Sequence, residues 1–438
     1  MVQLFNRVVP GIIVVLFCLV VFPLKLAAAE NGEYIAIRKE GSGNIALVLD
    51  KLDANGKKES KFAQSLDTIM HDGLDFTKIF SLISPPLNVK DFTDKKNVVI
   101  NFGALTSVGA EVYAGGTLTR KSGMINLDMK VYDASGSKLL LSKTYTGREE
   151  GLRSIGHAFC ADLIELLTGK KSVFGSKIVF ISNKTGFKEI YECDFDGYGV
   201  AQLTNLKSIA MNPALSPDGK HLAYIGFASG RPTLYIRNLV DGKIASVSKS
   251  GVSIDPGWRN NTEVAATLSP EGNQEIFLVN TDGSLSKRVT NNKSIDISPT
   301  FSPDGTKMAF VSSRNGLPQI FVQDMQSGLV KRLTFSGRYN TQPAWSPLGD
   351  KIAYTTWEKN GEINIFVVNA DGSGLKQLTQ NSRENKSPSF SPDGEMIVYT
   401  SNRQGREKVY VMSSKGGNER LLLQGDDVQT QPSWSLFR

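Results

Sequence analysis

A repeated unit in the C-terminal part of the chain constrains the fold more than any other feature. Successive copies begin at six prolines separated by 43, 43, 44, 45 and 44 residues: Pro213, Pro256, Pro299, Pro343, Pro388 and Pro432. A typical copy holds a Ser-Pro-Asp-Gly turn, two apolar strands joined by a polar loop, and a short last strand ending in Leu-Thr or Val-Thr. A period in the forties with about four short strands predicts a β-propeller.

The repeated residue types suit such blades. A large apolar residue two positions after each proline is expected to fill the space between neighbouring blades: Leu215, Trp258, Phe301, Trp345, Phe390 and Trp434. In the turn that follows, proline presets φ, aspartate bonds nearby backbone and glycine accepts a positive φ. The copy that begins at Pro256 has lost its Ser-Pro-Asp-Gly turn.

Two incomplete copies set the number of blades. The stretch "KIVFIS", from Lys177, reads as the second strand of a blade that lacks its inner strand, and the C-terminal "QPSWSLFR" reads as an inner strand alone. Together they complete one blade, which leaves the ring without open edges. We therefore predict a six-bladed β-propeller over residues 173–438, closed by pairing of the C-terminal strand with the first blade.

The first 29 residues predict a secretory signal peptide. Arg7 precedes an apolar run from Val8 to Leu24, and Ala27-Ala28-Ala29 offers a small-residue cleavage site. Pro10-Gly11, Pro23 and Lys25 interrupt the run, which favours a cleaved signal over a retained membrane anchor.

Residues 30–172 predict an α/β domain. Predicted strands alternate with two helices, one over Lys61 to His71 with Gly73 beyond it, the other over Leu152 to Leu167 with Gly169 as its C-cap. The linker to the propeller is short, so the two domains are expected to touch.

Charge and cysteine content exclude some classes of function. The formal net charge of +7 falls to +5 without Arg7 and Lys25, and no basic run points to nucleic acid. Cys160 and Cys193 fall in different predicted domains, which favours two buried thiols over a disulfide, and neither belongs to a CxxC motif.

Motifs of common hydrolases are missing from the sequence. The three histidines, His71, His157 and His221, are scattered, and no G-x-S-x-G, HExxH or Walker motif occurs. The Asp-Gly pairs lack the alternating acidic ligands of calcium loops and read as turns. We expect no catalytic residue and no metal ligand set.

Loops that enter the first strand of each blade share one propeller face with the loops between strands two and three. Here they are polar and varied, and arginine and tyrosine are favoured anchors of protein interfaces. Taken singly, each residue reads as part of a solvated loop; as a set around one opening, they predict a protein-docking face: Arg314, Arg338, Tyr339, Arg383, Arg403 and Arg406.

The run "GLRSIGHAFCADLIELLTG…FGSKIVFISN", with blades behind it and a signal peptide ahead, resembles the TolB family, the periplasmic component of the Tol-Pal system of Gram-negative bacteria. The likeness covers the whole mature chain. Its most specific part is the junction between the two predicted domains: Leu152-Arg153, His157, Asp162, Leu167-Thr168-Gly169, Phe174 and Ile178.

The resemblance implies a non-enzymatic periplasmic adaptor that supports outer-membrane integrity and cell division. It implies that the mature N-terminal segment, residues 30–41 with Glu30, Tyr34, Ile35 and Ile37, binds inner-membrane TolA. Other outer-membrane proteins are further candidate partners, and a calcium ion in the channel is implied by the resemblance alone. The propeller face would bind the lipoprotein Pal through these residues: Asp296, Arg314, Arg338, Tyr339, Asn340, Thr341, Arg383, Glu384 and Arg403.

Two alternatives remain open at the level of sequence. A secreted propeller hydrolase or lactonase would need clustered acidic or histidine residues in the channel. A glycan-binding propeller would need aromatic platforms on its loops, for which Tyr339 and Trp357 are the candidates.

Overall fold

The computed structural model describes residues 43–94, 97–247, 254–380 and 382–435. The predicted signal peptide (1–29) and the predicted TolA-binding segment (30–41) lie outside these residues. The predicted domain boundary at 172/173 falls in the connection between the last helix of the N-terminal part and the first propeller strand.

The N-terminal part is a mixed sheet with helices on both faces. Its elements, with a 3₁₀ turn at Glu149–Gly151, are β1 (Ile45–Leu49), β2 (Asp53–Ala54), α1 (Lys57–Thr77), β3 (Phe80–Ile83), β4 (Lys90–Asp94), β5 (Asn97–Ile100), α2 (Phe102–Ser107), β6 (Val112–Lys121), β7 (Met124–Asp133), β8 (Lys138–Arg148) and α3 (Leu152–Thr168). The main sheet has the order β3-β1-β6-β7-β8; β1 pairs in parallel with β3 and β6, whereas β6, β7 and β8 form an antiparallel meander.

Alternation along the strands divides the apolar residues of this sheet between two layers. Leu47 faces the core formed with α1 and α3, and its neighbour Val48 faces the smaller cluster that contains Leu105 of α2. Because successive strand residues point to opposite faces, one short strand serves both layers.

Helix α1 is longer than the sequence predicts. It runs past the predicted end at His71 to Thr77, and Lys78, not Gly73, takes the left-handed conformation after it, with φ of 54°. Gly73 lies inside the helix. Any larger residue there would place its Cβ within 2.7 Å of the Phe174 ring, so the position requires glycine. The glycine therefore allows a close approach, whereas the predicted role of Gly169 as the C-cap of α3 is confirmed.

The propeller consists of six four-stranded sheets within the described residues. Blade 1 contains β9 (Lys177–Ser182), β10 (Glu189–Asp194) and β11 (Ala201–Gln202); blade 2 contains β12 (Ala210–Leu215), β13 (His221–Gly226), β14 (Thr233–Asn238) and β15 (Ile244–Val247); blade 3 contains β16 (Ile254–Trp258), β17 (Glu263–Leu268), β18 (Glu275–Asn280) and β19 (Leu285–Arg288). Blade 4 contains β20 (Asp296–Phe301), β21 (Lys307–Ser312), β22 (Gln319–Asp324) and β23 (Val330–Arg332); blade 5 contains β24 (Tyr339–Trp345), β25 (Lys351–Trp357), β26 (Ile363–Asn369) and β27 (Lys376–Gln377); blade 6 contains β28 (Asn385–Phe390), β29 (Met396–Ser401), β30 (Lys408–Ser413) and β31 (Arg420–Leu421). The C-terminal strand β32 (Gln429–Trp434) completes blade 1.

Strand β32 closes the ring by antiparallel pairing with β9, as the incomplete copies predict. Thr430 lies opposite Ile181, and Trp434 lies opposite Ile178. Trp434 is 7% exposed, and its indole Nε1 donates to the Ser176 hydroxyl at 2.9 Å. Five of the six residues predicted to lie between blades are buried; Trp258, in the degenerate copy, is half-buried.

The Ser-Pro-Asp-Gly motif is a hydrogen-bonded turn between the first and second strands. In blade 2 the Ser216 hydroxyl donates to the Asp218 carboxylate at 2.6 Å and accepts from the amide of His221 at 2.9 Å. Gly219 has φ of 67°, which favours glycine. The serine thus orders both ends of the turn.

The threonine that ends the repeat holds the loop between blades against the third strand. The amide of Ile365 donates to the Thr379 hydroxyl at 2.9 Å, and that hydroxyl donates to Asn364 Oδ1 at 3.0 Å. The equivalent hydroxyls of Thr204, Thr290 and Thr334 accept from strand amides in the same way. In these four blades the threonine hydroxyl satisfies a buried backbone donor, whereas blade 6 has Leu423 at the equivalent position.

The N-terminal part packs against one end of the propeller, at blades 1 and 6. Arg153 of α3 forms salt bridges with Asp194, at 3.0 Å, and with Asp196. Beside them His157 packs against the Phe174 and Phe195 rings, with centroids 4.9 and 5.3 Å away. Burial, with a smaller effect of Arg153, lowers the His157 pKa to about 4, so this histidine is neutral in the folded protein.

Candidate protein-docking face

The opposite end of the propeller carries the predicted docking face. It is formed by the loops that enter the first strands and by the loops between the second and third strands. The N-terminal part contacts loops of the other end, through Lys170–Glu395 at 2.7 Å and Arg153–Asp194. The contacts that the described residues of the N-terminal part make with the propeller thus lie at the end away from the predicted face.

Two of the predicted docking arginines are held within their own blades. Arg314 lies over the Phe310 and Phe321 rings, 5.2 Å from each centroid, and its Nη2 donates to Asp296 at 2.9 Å. Arg403 lies over Tyr399 and Tyr410 in the equivalent place.

The Arg403 guanidinium has further partners in blade 6. It donates to the side-chain Oδ1 of Asn385 at 3.2 Å and forms a salt bridge with Glu419. Because both guanidinium groups are hydrogen-bonded and stacked within their own blades, we infer that they brace the loops of the face.

Asp296 and Asn340 are fully buried at the starts of two first strands. Burial raises the pKa of the Asp296 carboxyl, and the Arg314 guanidinium opposes that rise. Asn340 Nδ2 donates to Gln319 Oε1 at 2.9 Å and to the Ser336 carbonyl at 2.7 Å. Neither side chain is accessible to a partner, so both contribute to the face by holding its loops in place through hydrogen bonds.

The remaining predicted residues are accessible. Arg338 is exposed and Tyr339 is half-buried at the start of β24, where Thr341 is also half-buried. Arg383 is exposed with a left-handed φ of 57°, and Glu384, half-exposed beside it, lies 3.5 Å from Lys386.

Blade 5 and the end of the loop that enters it carry one accessible cluster, which we call the aromatic patch: Arg338, Tyr339 and Trp357. Phe335, earlier in the same loop, lies beside Arg332 of β23, whose guanidinium is 4.8 Å from the Phe335 ring centroid. Tyr339 and Trp357 meet edge to face, with centroids 6.1 Å apart and an interplanar angle of 89°. The Arg338 guanidinium lies 5.2 Å from the Tyr339 ring centroid, and its backbone amide donates to the Trp357 carbonyl at 2.9 Å. Phe335 is 75% exposed and Trp357 is 49% exposed.

Sequence reasoning did not assign Phe335 or Trp357 to this docking face. Trp357 was considered as a glycan platform, and Phe335 follows the Leu-Thr signal as the first loop residue. The signal that could have identified both is an aromatic residue within or beside a loop of the predicted face. Exposure of large aromatic side chains next to an arginine is typical of interface hot spots.

Six residues, one before each repeat proline, line the channel in a left-handed conformation with φ between 46° and 56°: Asn212, Asp255, Ser298, Gln342, Ser387 and Gln431. Asn212 Nδ2 and the Ser298 hydroxyl both donate to the Asp255 carboxylate. Gln342 Oε1 accepts from the amide of Ser387 at 3.0 Å. Desolvation raises the pKa of the Asp255 carboxyl, and the hydrogen bond from Ser298 opposes that rise.

This ring does not match the ligand set of a calcium ion. Ca²⁺ takes six to eight oxygens, several of them from carboxylates. The ring contributes a single carboxylate, and its oxygens already accept hydrogen bonds from protein donors. Within the described ranges, no group of three or more histidine, cysteine or acidic side chains is arranged to hold a metal ion.

Cys160 and Cys193 are free thiols in the interior. Burial raises the pKa of both, so neither is a nucleophile in the folded protein. Among the helices in the described part of the chain, none is long and apolar enough to cross a membrane.

Comparison with known proteins identifies the family. The family model for the TolB beta propeller domain matches residues 164–438. A TolB homolog from Chlorobium luteolum is 58% identical over 416 residues, which cover 95% of each chain. A Tol-Pal system protein TolB from Desulfosudis oleivorans is 39% identical over 249 residues, 56% of this chain and 57% of the relative.

The structural comparison concerns the fold. The crystal structure of TolB from Acinetobacter baumannii superposes with a TM-score of 0.77 at 23% identity, covering 90% of this chain and 97% of that one. The repeat, the six blades and a relative that matches over almost its whole length agree: the chain belongs to the TolB family.

Proposed function

We propose that this protein is a non-enzymatic periplasmic adaptor of the Tol-Pal system. It binds the outer-membrane lipoprotein Pal through the propeller face and inner-membrane TolA through residues 30–41, and so supports outer-membrane integrity and constriction during cell division. Membership of the TolB family supports the proposal, as does the name Tol-Pal system protein carried by a relative.

The observation that carries the Pal-binding part is the exposed aromatic patch. Large aromatic and arginine side chains at an interface often contribute about 2 kcal/mol or more each to binding. Arg338, Tyr339 and Trp357 are ordered by their contacts with one another, so little side-chain entropy remains to be lost when a partner binds. The buried residues Asp296 and Asn340 and the braced Arg314 and Arg403 hold the surrounding loops.

The geometry of the patch favours a protein over a glycan. A sugar ring stacks on an open aromatic face. Here the Tyr339 and Trp357 rings meet edge to face, and the Arg338 guanidinium lies against the Tyr339 ring. This arrangement leaves an uneven surface of aromatic and cationic groups rather than a flat aromatic platform.

The TolA-binding part rests on the segment ahead of β1. Glu30, Tyr34, Ile35 and Ile37 lie outside the described residues, so this assignment stays a prediction from the family resemblance. An extended peptide that adds a strand to a partner sheet is a common mode of recognition, and Tyr34 to Ile37 has the composition of a strand.

The non-enzymatic part of the proposal rests on the motifs that the sequence lacks and on the inert thiols. A buried, neutral His157 and two cysteines with raised pKa offer no activated nucleophile.

Calorimetric titration of the mature chain, residues 30–438, with cognate Pal tests the proposal. Replacing Arg338 and Tyr339 together by alanine should weaken binding by about a hundredfold or more, given about 2 kcal/mol for each anchor and partial non-additivity. Leu329→Ala, a truncation of a residue 57% exposed at the other end of the propeller, is the control for a surface change away from the face. Deletion of residues 30–41 should abolish TolA binding and leave Pal affinity intact.

Binding of Pal that is unaffected by the double substitution would move the site to other loops. Absence of any Pal binding would contradict the adaptor proposal and return the enzyme and glycan alternatives to consideration.

A further inference from the structure

A cavity of about 660 Å³ lies between the N-terminal part and blade 6, at the propeller end opposite the aromatic patch. The C-terminal ends of α1 and α3 form one wall, and the strands and loops of blade 6 form the other. This volume is in the range of sites that hold small organic ligands.

Positive charge predominates in the lining of this cavity. It contains five cationic side chains and two carboxylates: Lys78, Lys170, Lys171, Lys415, Arg420, Asp393 and Glu395. Both carboxylates are engaged, because Lys170 pairs with Glu395 at 2.7 Å and the Ser391 hydroxyl and Glu395 amide donate to Asp393.

Three of the cations have no salt-bridge partner within the described residues: Lys171, Lys415 and Arg420. Lys78 pairs with Asp75 at 2.7 Å. The Arg420 guanidinium lies 3.8 Å from the Phe76 ring centroid, its Nη2 donates to the Phe76 carbonyl, and its buried Nε donates to nothing in the described chain.

The negative ends of the two helix dipoles offset only part of the positive charge in the lining. Each helix C-terminus carries the equivalent of roughly −0.5 charge, so α1 and α3 together offset about one cation. Burial lowers the pKa of the Arg420 guanidinium, and the charge of Asp75, which already pairs with Lys78, opposes that effect only in part. An incoming anion would offset the remaining desolvation cost. Ile79 is half-buried in the cavity wall, whereas Leu167, Met396 and Met412 lie behind the lining and are at most 5% exposed.

We propose that this cleft binds a small organic oxyanion, in which a phosphate monoester or carboxylate group faces Lys171, Lys415 and Arg420 and an apolar body packs beside Ile79 and the aliphatic stems of the lining lysines. The site is separate from the proposed Pal-binding face and does not depend on it. A ligand held here would contact both the N-terminal part and blade 6, and would therefore stabilise their packing.

Calorimetric titration of residues 30–438 with phenyl phosphate tests the proposal. We expect saturable binding that weakens as salt is added, and that exceeds the binding of both inorganic phosphate and the neutral analogue benzyl alcohol. Lys171→Glu with Lys415→Glu should weaken it about tenfold, since each reversal removes an attraction to the anion and adds a repulsion. Lys287→Glu with Lys331→Glu, the same charge change on exposed outer strands of blades 3 and 4, should leave it unchanged.

Equal affinity of the cleft variant and the charge-matched control would overturn the site. Inorganic phosphate binding as tightly as phenyl phosphate would overturn the role of the apolar wall. If the protein co-sediments with phosphatidylglycerol vesicles but does not bind phenyl phosphate, the anion would be a lipid headgroup. That result would overturn the proposal of a soluble ligand.

Discussion

Replacing Trp434 by alanine tests whether the last strand closes the propeller. Trp434 is almost fully buried beside Ile178, so its loss removes a large apolar side chain from the first blade and leaves a cavity. Such truncations cost about 3–5 kcal/mol. Loss of the indole donor to Ser176 adds about 1 kcal/mol, because that hydroxyl keeps only its own donation to the Val173 carbonyl.

Urea denaturation followed by far-ultraviolet circular dichroism measures this loss without relying on tryptophan fluorescence. The expected decrease in the free energy of unfolding is about 4–6 kcal/mol. Trp357→Ala is the matched control: the same chemical change at a residue 49% exposed should cost less than about 1 kcal/mol. Equal, small effects of the two substitutions would refute the reasoning that the buried Trp434 strand stabilises the ring.

Three further predictions follow from buried polar groups. The pKa of His157 is about 4 in the folded protein and about 6.5 in the unfolded chain, so stability should fall as pH drops from about 6.5 to 4, by at most about 3 kcal/mol. Thermal melts of His157→Gln should show a weaker pH dependence. An unchanged dependence would contradict this prediction. Thr379→Val should cost about 1–3 kcal/mol in urea titrations by leaving the Ile365 amide unpaired, whereas a neutral result would show this hydrogen bond to be dispensable. Cys160 and Cys193 should react with a maleimide in denaturant but not in the folded protein; rapid labelling of the native chain would show that the interior opens.

The architecture of the propeller could be predicted because each copy of the repeat carries several independent signals. Proline spacing, the turn motif and the large apolar residue recur in phase, and two incomplete copies required a joint blade. Local patterns were weaker in the N-terminal part. Gly73 resembled a helix terminator in sequence, and only the approach of Phe174, a hundred residues away in the chain, explains it.

The candidate site was harder to predict than the fold. Sequence assigned Arg314, Arg403, Asp296 and Asn340 to the predicted face. It could not show that the two arginines lie against aromatic pairs, or that Asp296 and Asn340 are buried. Whether a loop residue points outward depends on contacts between strands that are distant in sequence. The same limit concealed the cationic cleft, whose lining comes from two helix ends and one blade.

We propose that Pal binds the end of the propeller opposite the one that the described residues of the N-terminal part contact. Hydrogen–deuterium exchange of the mature chain with and without saturating Pal tests it most directly. The account predicts slower exchange in the loops at 333–341 and 382–384 and at Trp357, with no change in the turns at 346–350 and 391–395 at the other end. Protection confined to those turns or to the N-terminal part would contradict the account.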